Sequence, residues 1–211
     1  MTHPVTTTPY HAAMVLAYHL VLTAYGFWLP NDPRGSYSDF VRSFDLYQAA
    51  GKATKVSTRR SVAHHAHDPI ARERAKQALA RKPVVFTGQQ ARTVALGFAD
   101  YCTSNSRPCL ACAVMPDHAH LVLQRTDLPI EKQAEQLKAR ATAFLNKAQL
   151  HPFQDHPLPN GRTPTPWARK HWSVFLRDDA SILRAIQYVE QNPIKAGYKP
   201  QHYDWVTPFS A

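Results

Sequence analysis

A chain of 211 residues suits one domain with a real core and is short for two. Lys and Arg number 25 against 15 Asp and Glu, a net charge of +10 with His neutral, which makes polyanions the first suspects, nucleic acid ahead of a membrane surface. Three cysteines, an odd set with no secretory context, argue against a disulfide framework. The apolar stretch from Ala12 to Leu29 carries His19 and has no basic residue before it, so it fits neither a signal peptide nor a membrane span, and the expected compartment is the cytoplasm.

In chain order, residues 13–26 ("AMVLAYHLVLTAYG") are rich in β-branched and aromatic types and predict a buried first strand. "LPNDPRGS" after it is a turn or loop by composition. Residues 36–82 turn basic and histidine-bearing, with only short apolar runs and a helix-like end ("DPIARERAKQALARK"), and read as a basic insertion after the first strand. His64, His65 and His67 in it are expected to be a solvated cluster, not ligands. Residues 82–87 ("KPVVFT") predict a short strand, and residues 87–102 predict a helix opened by Thr87.

Two strand-like segments follow, "PCLACAVM" and "HAHLVLQ", joined at the Pro-Asp turn of "MPDH". Strand alternation would point the thiols of Cys109 and Cys112 to opposite faces, so this CxxC is read as core filling, not as a zinc site. The same alternation puts His118 and His120 on one face, with Cα atoms about 7 Å apart, within reach of one cation. By itself a His-x-His is weak evidence for a metal, since two imidazoles on a polar face need no ligand.

Residues 128–150 carry apolar types at 130, 134, 137, 141, 144, 145 and 148, in steps that trace one helical face. Residues 151–170, with five prolines, predict a loop. "WSVFLRD" predicts a short strand, and a last helix is expected from a cap at Asp178 or Asp179 to a stop at Asn192-Pro193. In that helix Ile182, Leu183, Ala185, Ile186 and Val189 cluster on one side, while Tyr188 shares a different stripe with Arg184 and Asn192, one turn before and after it.

"MPDHAHLV" (115–122) followed by "YVEQNPIKAG" (188–197) resembles the HUH single-strand transposases with one catalytic tyrosine, and within them the REP-associated tyrosine transposases, also described as IS200-like. "YHLVLTAYGFWLPNDPRG" (18–35), "LKARATAFLNKA" (137–148) and "PWARKHWSVFL" (166–176) extend the likeness along the chain. The resemblance implies that His118 and His120 bind a divalent metal, Mg²⁺ or Mn²⁺, that Asn192 is the third protein ligand, and that Tyr188 is the nucleophile. Asn followed by Pro at 192–193 resembles the REP-associated branch, whereas the mobile insertion-sequence relatives usually carry Gln at that position. Ala119 and the Gly197-Tyr198 pair depart from the usual pattern away from the chemistry.

The expectation is an α+β fold, a ferredoxin-like or RRM-like antiparallel sheet with helices packed on it, in one domain over 1–211 with an insertion at 36–82 and a proline-rich loop at 151–170. Three neutral ligands leave a cation's charge available to a phosphodiester. An unperturbed phenol, with a pKa near 10, needs help to attack, from a metal, from Arg184 or from a proton acceptor such as His19. The resemblance implies metal-dependent cleavage and rejoining of single-stranded or hairpin DNA through a 5′-phosphotyrosine, with no membrane partner and a monomer favoured over a dimer. Arg34, Lys138, Arg140, Arg169, Lys170, Arg184 and Lys195 are the expected phosphate contacts, and Trp28, Trp167 and Trp172 the candidates for base stacking. A repeat-binding protein of the same fold that does not cut is the alternative; a metal hydrolase or RNA-binding module with a coincidental His-x-His is a further one.

Overall fold

A computed structural model describes residues 14–58, 62–63 and 65–210. His64 and residue 13 therefore lie outside the described residues, while His65 and His67 are exposed, as a solvated cluster requires. The chain runs β1 (Ala17–Thr23), α1 (Phe44–Ala50), α2 (Pro69–Gln77), α3 (Gly88–Ser104), β2 (Cys109–Val114), β3 (His118–Gln124), α4 (Ile130–Lys147), β4 (Trp172–Leu176) and α5 (Asp179–Lys195). The sheet order is β2-β3-β1-β4, with every pairing antiparallel. With α1 and α2 set aside, β1-α3-β2-β3-α4-β4 is the ferredoxin-like arrangement, and the protein is α+β.

Each face of the sheet is apolar for its own reason. On β1, Tyr18, Leu20 and Leu22 point one way and join Val94, Phe98, Leu137, Ala141 and Leu145 of α3 and α4 in the larger core. Ala17 points the other way, into a smaller core with Leu110, Ala113, Val122 and Leu176 that is closed by Ile182, Ala185 and Val189 of α5. Helices therefore cover both faces. α3 begins at a capping box between Thr87 and Gln90, and it meets α4 so closely that a Cβ at Gly97 would lie 2.6 Å from the Ala141 Cα. Only glycine permits that approach.

Four details differ from the sequence reading. Residues 82–87 run extended but are not a strand of the sheet; the Val84 and Phe86 amides donate to the carbonyls of Tyr25 and Pro116, in loops. Cys109 and Cys112 share the larger core, because a register shift between Cys109 and Ala111 breaks the alternation that would have separated them. Both thiols are buried, and burial raises their pKa, as core filling implies. Trp167 is fully buried against Phe86 and Phe98 and so belongs to the core, not to a stacking surface. Finally, α5 passes through Pro193 to Lys195. Proline there forfeits one amide bond, but Ala196 donates to Asn192 and Tyr198 to Pro193, and Gly197 at φ 82° closes the turn.

The 36–82 excursion carries α1 and α2, whose Leu46 and Ala75 pack with Leu29, just before it, in a small separate core. Residues 151–170 form no helix or strand. On the outer edge of β2, the Gln201 carboxamide both donates to the Val114 carbonyl and accepts from its amide, and the Thr207 amide donates to the Cys109 carbonyl.

Candidate active site

The face of the sheet under α5 carries three imidazoles. In the β1–β3 register His19 lies opposite Val122 and His120 opposite Val21, so the two histidines are diagonal neighbours on one face. His19 Nε2 and His120 Nδ1 are 3.0 Å apart. His118 opens β3 directly after the Pro116-Asp117 turn, and its Nδ1 is 2.7 Å from the Asp117 carboxylate. Its ring stacks on Phe27, with centroids 5.1 Å apart and planes 19° from parallel. The rings of His118 and His120 stand perpendicular, with centroids 4.8 Å apart.

Helix α5 sets two further groups against them. An Asp178 to Ser181 capping box fixes where the helix starts, and Ile182, Ala185, Val189 and Pro193 bury one face. That rotation sets Tyr188 beside the imidazoles, its ring centroid 5.4 Å from His120 and 5.5 Å from His19, while its side remains 47% exposed. One turn on, the Asn192 amide nitrogen is 3.4 Å from His120 Nε2. Tyr188, His118, His120 and Asn192 thus come together, all from one chain.

Burial lowers the His19 pKa to about 4. It lowers that of His120 well below the ordinary value, with the neighbouring charges of His118 and His19 acting in the same direction. Both rings are therefore neutral near pH 7, and a neutral imidazole has a lone pair to give. Among the described residues no group of three or more His, Cys, Asp or Glu could hold a metal ion by itself. The set here is two imidazoles and a carboxamide, which suits Mn²⁺ and tolerates Mg²⁺. It fits a divalent ion for a specific reason: both histidines are held at Nδ1, by Asp117 and by His19, which leaves Nε2 of each for a ligand. A turn of the Asn192 amide would present its oxygen to the same place.

The basic residues divide. Arg169, Lys170, Arg184 and Lys195 are exposed. Arg140 is half-exposed and paired with Asp100 at 2.9 Å. Lys138 donates to the carbonyls of Ala168 and Lys170, and burial lowers its pKa to about 8. Arg34 is 8% exposed; its guanidinium forks onto the buried Asp32 carboxylate and lies 3.7 Å over the Trp28 ring. Arg34 and Lys138 are thus occupied within the fold, leaving little of either for a phosphate. Trp172 packs with Tyr37 at 4.7 Å and is partly exposed. Sequence reasoning missed Asp117 and Phe27; the adjacency of Asp117 to His118 was the available signal, whereas Phe27 becomes visible only once β1 and β3 pair.

No family model matches the chain. A candidate REP-associated tyrosine transposase of Haemophilus influenzae (strain ATCC 51907 / DSM 11121 / KW20 / Rd) is 30% identical over 104 residues, covering 48% of this chain and 57% of that protein. The chain thus matches little more than half of that relative's length. Among solved structures, a REP-associated tyrosine transposase bound to a REP hairpin aligns over 92% of this chain and 76% of its own, at TM-score 0.45 and 11% identity. A candidate transposase from Deinococcus radiodurans aligns over 90% and 97%, at TM-score 0.42 and 16% identity. No helix among the described residues is long and apolar enough to cross a membrane. The sequence likeness is therefore to the REP-associated tyrosine transposases, the family that the paired motifs around His118 and Tyr188 resemble.

Proposed function

We propose that the protein cuts and rejoins hairpin or single-stranded DNA, with Tyr188 as nucleophile, and that it does so as a monomer. The observation that carries this reading is the Tyr188 ring 5.4 Å from His120, with the Asn192 carboxamide one helical turn away against the same imidazole. That all four groups come from one chain supports a site complete without a second copy.

His118, His120 and Asn192 would hold a divalent cation, Mg²⁺ or Mn²⁺, which when bound supplies neutralisation of phosphate charge. Tyr188 Oη attacks the phosphorus of one phosphodiester as the bond to the 3′-oxygen breaks; the phenol gives up its proton to solvent and the departing 3′-oxygen takes one from it, leaving as a hydroxyl. The product is a 5′-phosphotyrosine and a free 3′-end. Because the phosphotyrosine conserves the diester bond, a 3′-hydroxyl can reverse the step without a nucleotide cofactor. Arg184, one turn before Tyr188 and exposed, would stabilise the phenolate or a phosphate. Arg169, Lys170 and Lys195 are the remaining exposed cations proposed to follow the backbone, and Trp172 the proposed stacking residue.

The test incubates the protein with labelled hairpin DNA and Mn²⁺ and resolves the products on denaturing gels. A covalent adduct that disappears in Tyr188→Phe supports the reading. A gel shift without adduct would instead make the protein a binder of repeats, and cleavage that survives Tyr188→Phe would make it a hydrolase.

A further inference from the structure

His19 lies outside the set just named, yet its Nε2 is 3.0 Å from Nδ1 of His120. We propose that His19 is a positioning residue that fixes the proton of His120 on Nδ1, so that Nε2 of His120 keeps its lone pair for a cation. The cation belongs to the function proposed above; the position of the proton does not depend on it.

The argument is one of hydrogen-bond accounting. A neutral imidazole has one N–H and one lone pair. His120 has a partner at each nitrogen: His19 Nε2 at 3.0 Å from Nδ1 and the Asn192 amide nitrogen at 3.4 Å from Nε2. With the Asn192 amide turned so that its NH₂, which can only donate, faces His120, Nε2 accepts and the proton of His120 sits on Nδ1. That proton is given to His19 Nε2, and the proton of His19 itself must then be on its Nδ1. The opposite tautomer would place N–H on His120 Nε2, toward Asn192, and close that nitrogen to any metal.

Two observations strengthen the assignment. The two backbones that carry the contact are held in register, since both histidines lie on the adjacent central strands β1 and β3. His118 repeats the pattern, with its Nδ1 against the Asp117 carboxylate, an acceptor. Two rings anchored at Nδ1 by acceptors, both left open at Nε2, is the arrangement by which outer partners orient ligating histidines. It also removes His19 as an acceptor for the Tyr188 proton, because its single lone pair is already engaged by His120.

The test uses the full chain, labelled with ¹⁵N, and the variants His19→Gln and His19→Leu. Gln places an acceptor oxygen where Nε2 was; Leu fills the space without one. Two-bond ¹H–¹⁵N spectra at neutral pH report the His120 tautomer, and free Mn²⁺ is counted by electron paramagnetic resonance. The expected result is an Nδ1–H His120 in the native chain and in His19→Gln, with Mn²⁺ affinity kept in both and weakened about 10- to 100-fold in His19→Leu. A native His120 carrying its proton on Nε2 overturns the proposal, as does Mn²⁺ binding that is the same in His19→Leu or as weak in His19→Gln. Should the native chain bind no Mn²⁺ at all, the metal reading of the site fails and the tautomer spectrum alone decides the role of His19. If His19→Leu does not fold, the native chain and His19→Gln carry the same decision.

Discussion

Tyr188 stands edge-on to His120, with ring centroids 5.4 Å apart and planes at 86°. The tyrosine is 47% exposed, and its hydroxyl-bearing ring leans on the imidazole. Removing that hydroxyl takes no packing away. Tyr188→Phe is expected to shift stability by less than about 0.5 kcal/mol, as exposed substitutions do, while abolishing the covalent DNA adduct. Thermal melts beside adduct gels check this; a large loss of stability would mean that the hydroxyl is structural.

Asp117 holds His118 through Nδ1 at 2.7 Å. Asp117→Ala should weaken Mn²⁺ binding about 10- to 100-fold and leave the fold intact, since the carboxylate is an outer partner and not core. Mn²⁺ titration with circular dichroism as control measures both. Unchanged affinity would show that the Phe27 stack alone orients the ring.

Two tryptophans of similar sequence appeal have opposite fates. Trp167 is buried between Phe86 and Phe98, so Trp167→Ala should cost about 3–5 kcal/mol of stability. Trp172 is partly exposed beside Tyr37, so Trp172→Ala should weaken hairpin binding by about 1–3 kcal/mol, the usual value of one stacked base. Denaturant unfolding and fluorescence anisotropy separate the two. Equal effects of both variants on unfolding, with no change in binding for Trp172→Ala, would remove Trp172 from the DNA surface.

Asp32 is buried, and burial alone would raise its pKa; hydrogen bonds from the Arg34 side chain and backbone, with the charges of Arg34 and Arg72, outweigh this and hold it below the ordinary value. A carboxyl whose folded pKa is depressed stabilises the fold above the unfolded pKa, near 4, and loses that contribution as the pH falls through the folded value. Stability should therefore drop below about pH 4 in the native chain. Arg34→Ala, which leaves the carboxylate only the backbone amide of residue 34 and the longer Arg72 ion pair at 3.4 Å, should cost about 3–5 kcal/mol at neutral pH and lessen the acid loss. Urea titrations from pH 2 to 7 give the comparison; a flat profile for the native chain would contradict it.

The parts of the site that follow a period were legible from the residues. A strand repeat of two places His118 beside His120, and a helical repeat of 3.6 places Asn192 one turn beyond Tyr188. What escaped depended on pairing across the chain. Arg34 and Lys138 read as surface charges because a sequence does not show that Asp32 and the carbonyls of Ala168 and Lys170 come to meet them. The shared face of Cys109 and Cys112 was hidden by a register shift, which alternation cannot foresee. Helix α5 outran its expected stop because the lone amide lost at Pro193 is outweighed by the closing bonds of Ala196 and Tyr198.

The grip of Gln201 on both backbone groups of Val114, with Thr207 on Cys109, occupies the flank of the sheet where a foreign strand would otherwise dock. An unshielded flank is a template for amyloid-like stacking and unwanted assembly. A side-chain amide here imitates a neighbouring strand for one residue, guarding β2 without lengthening the sheet.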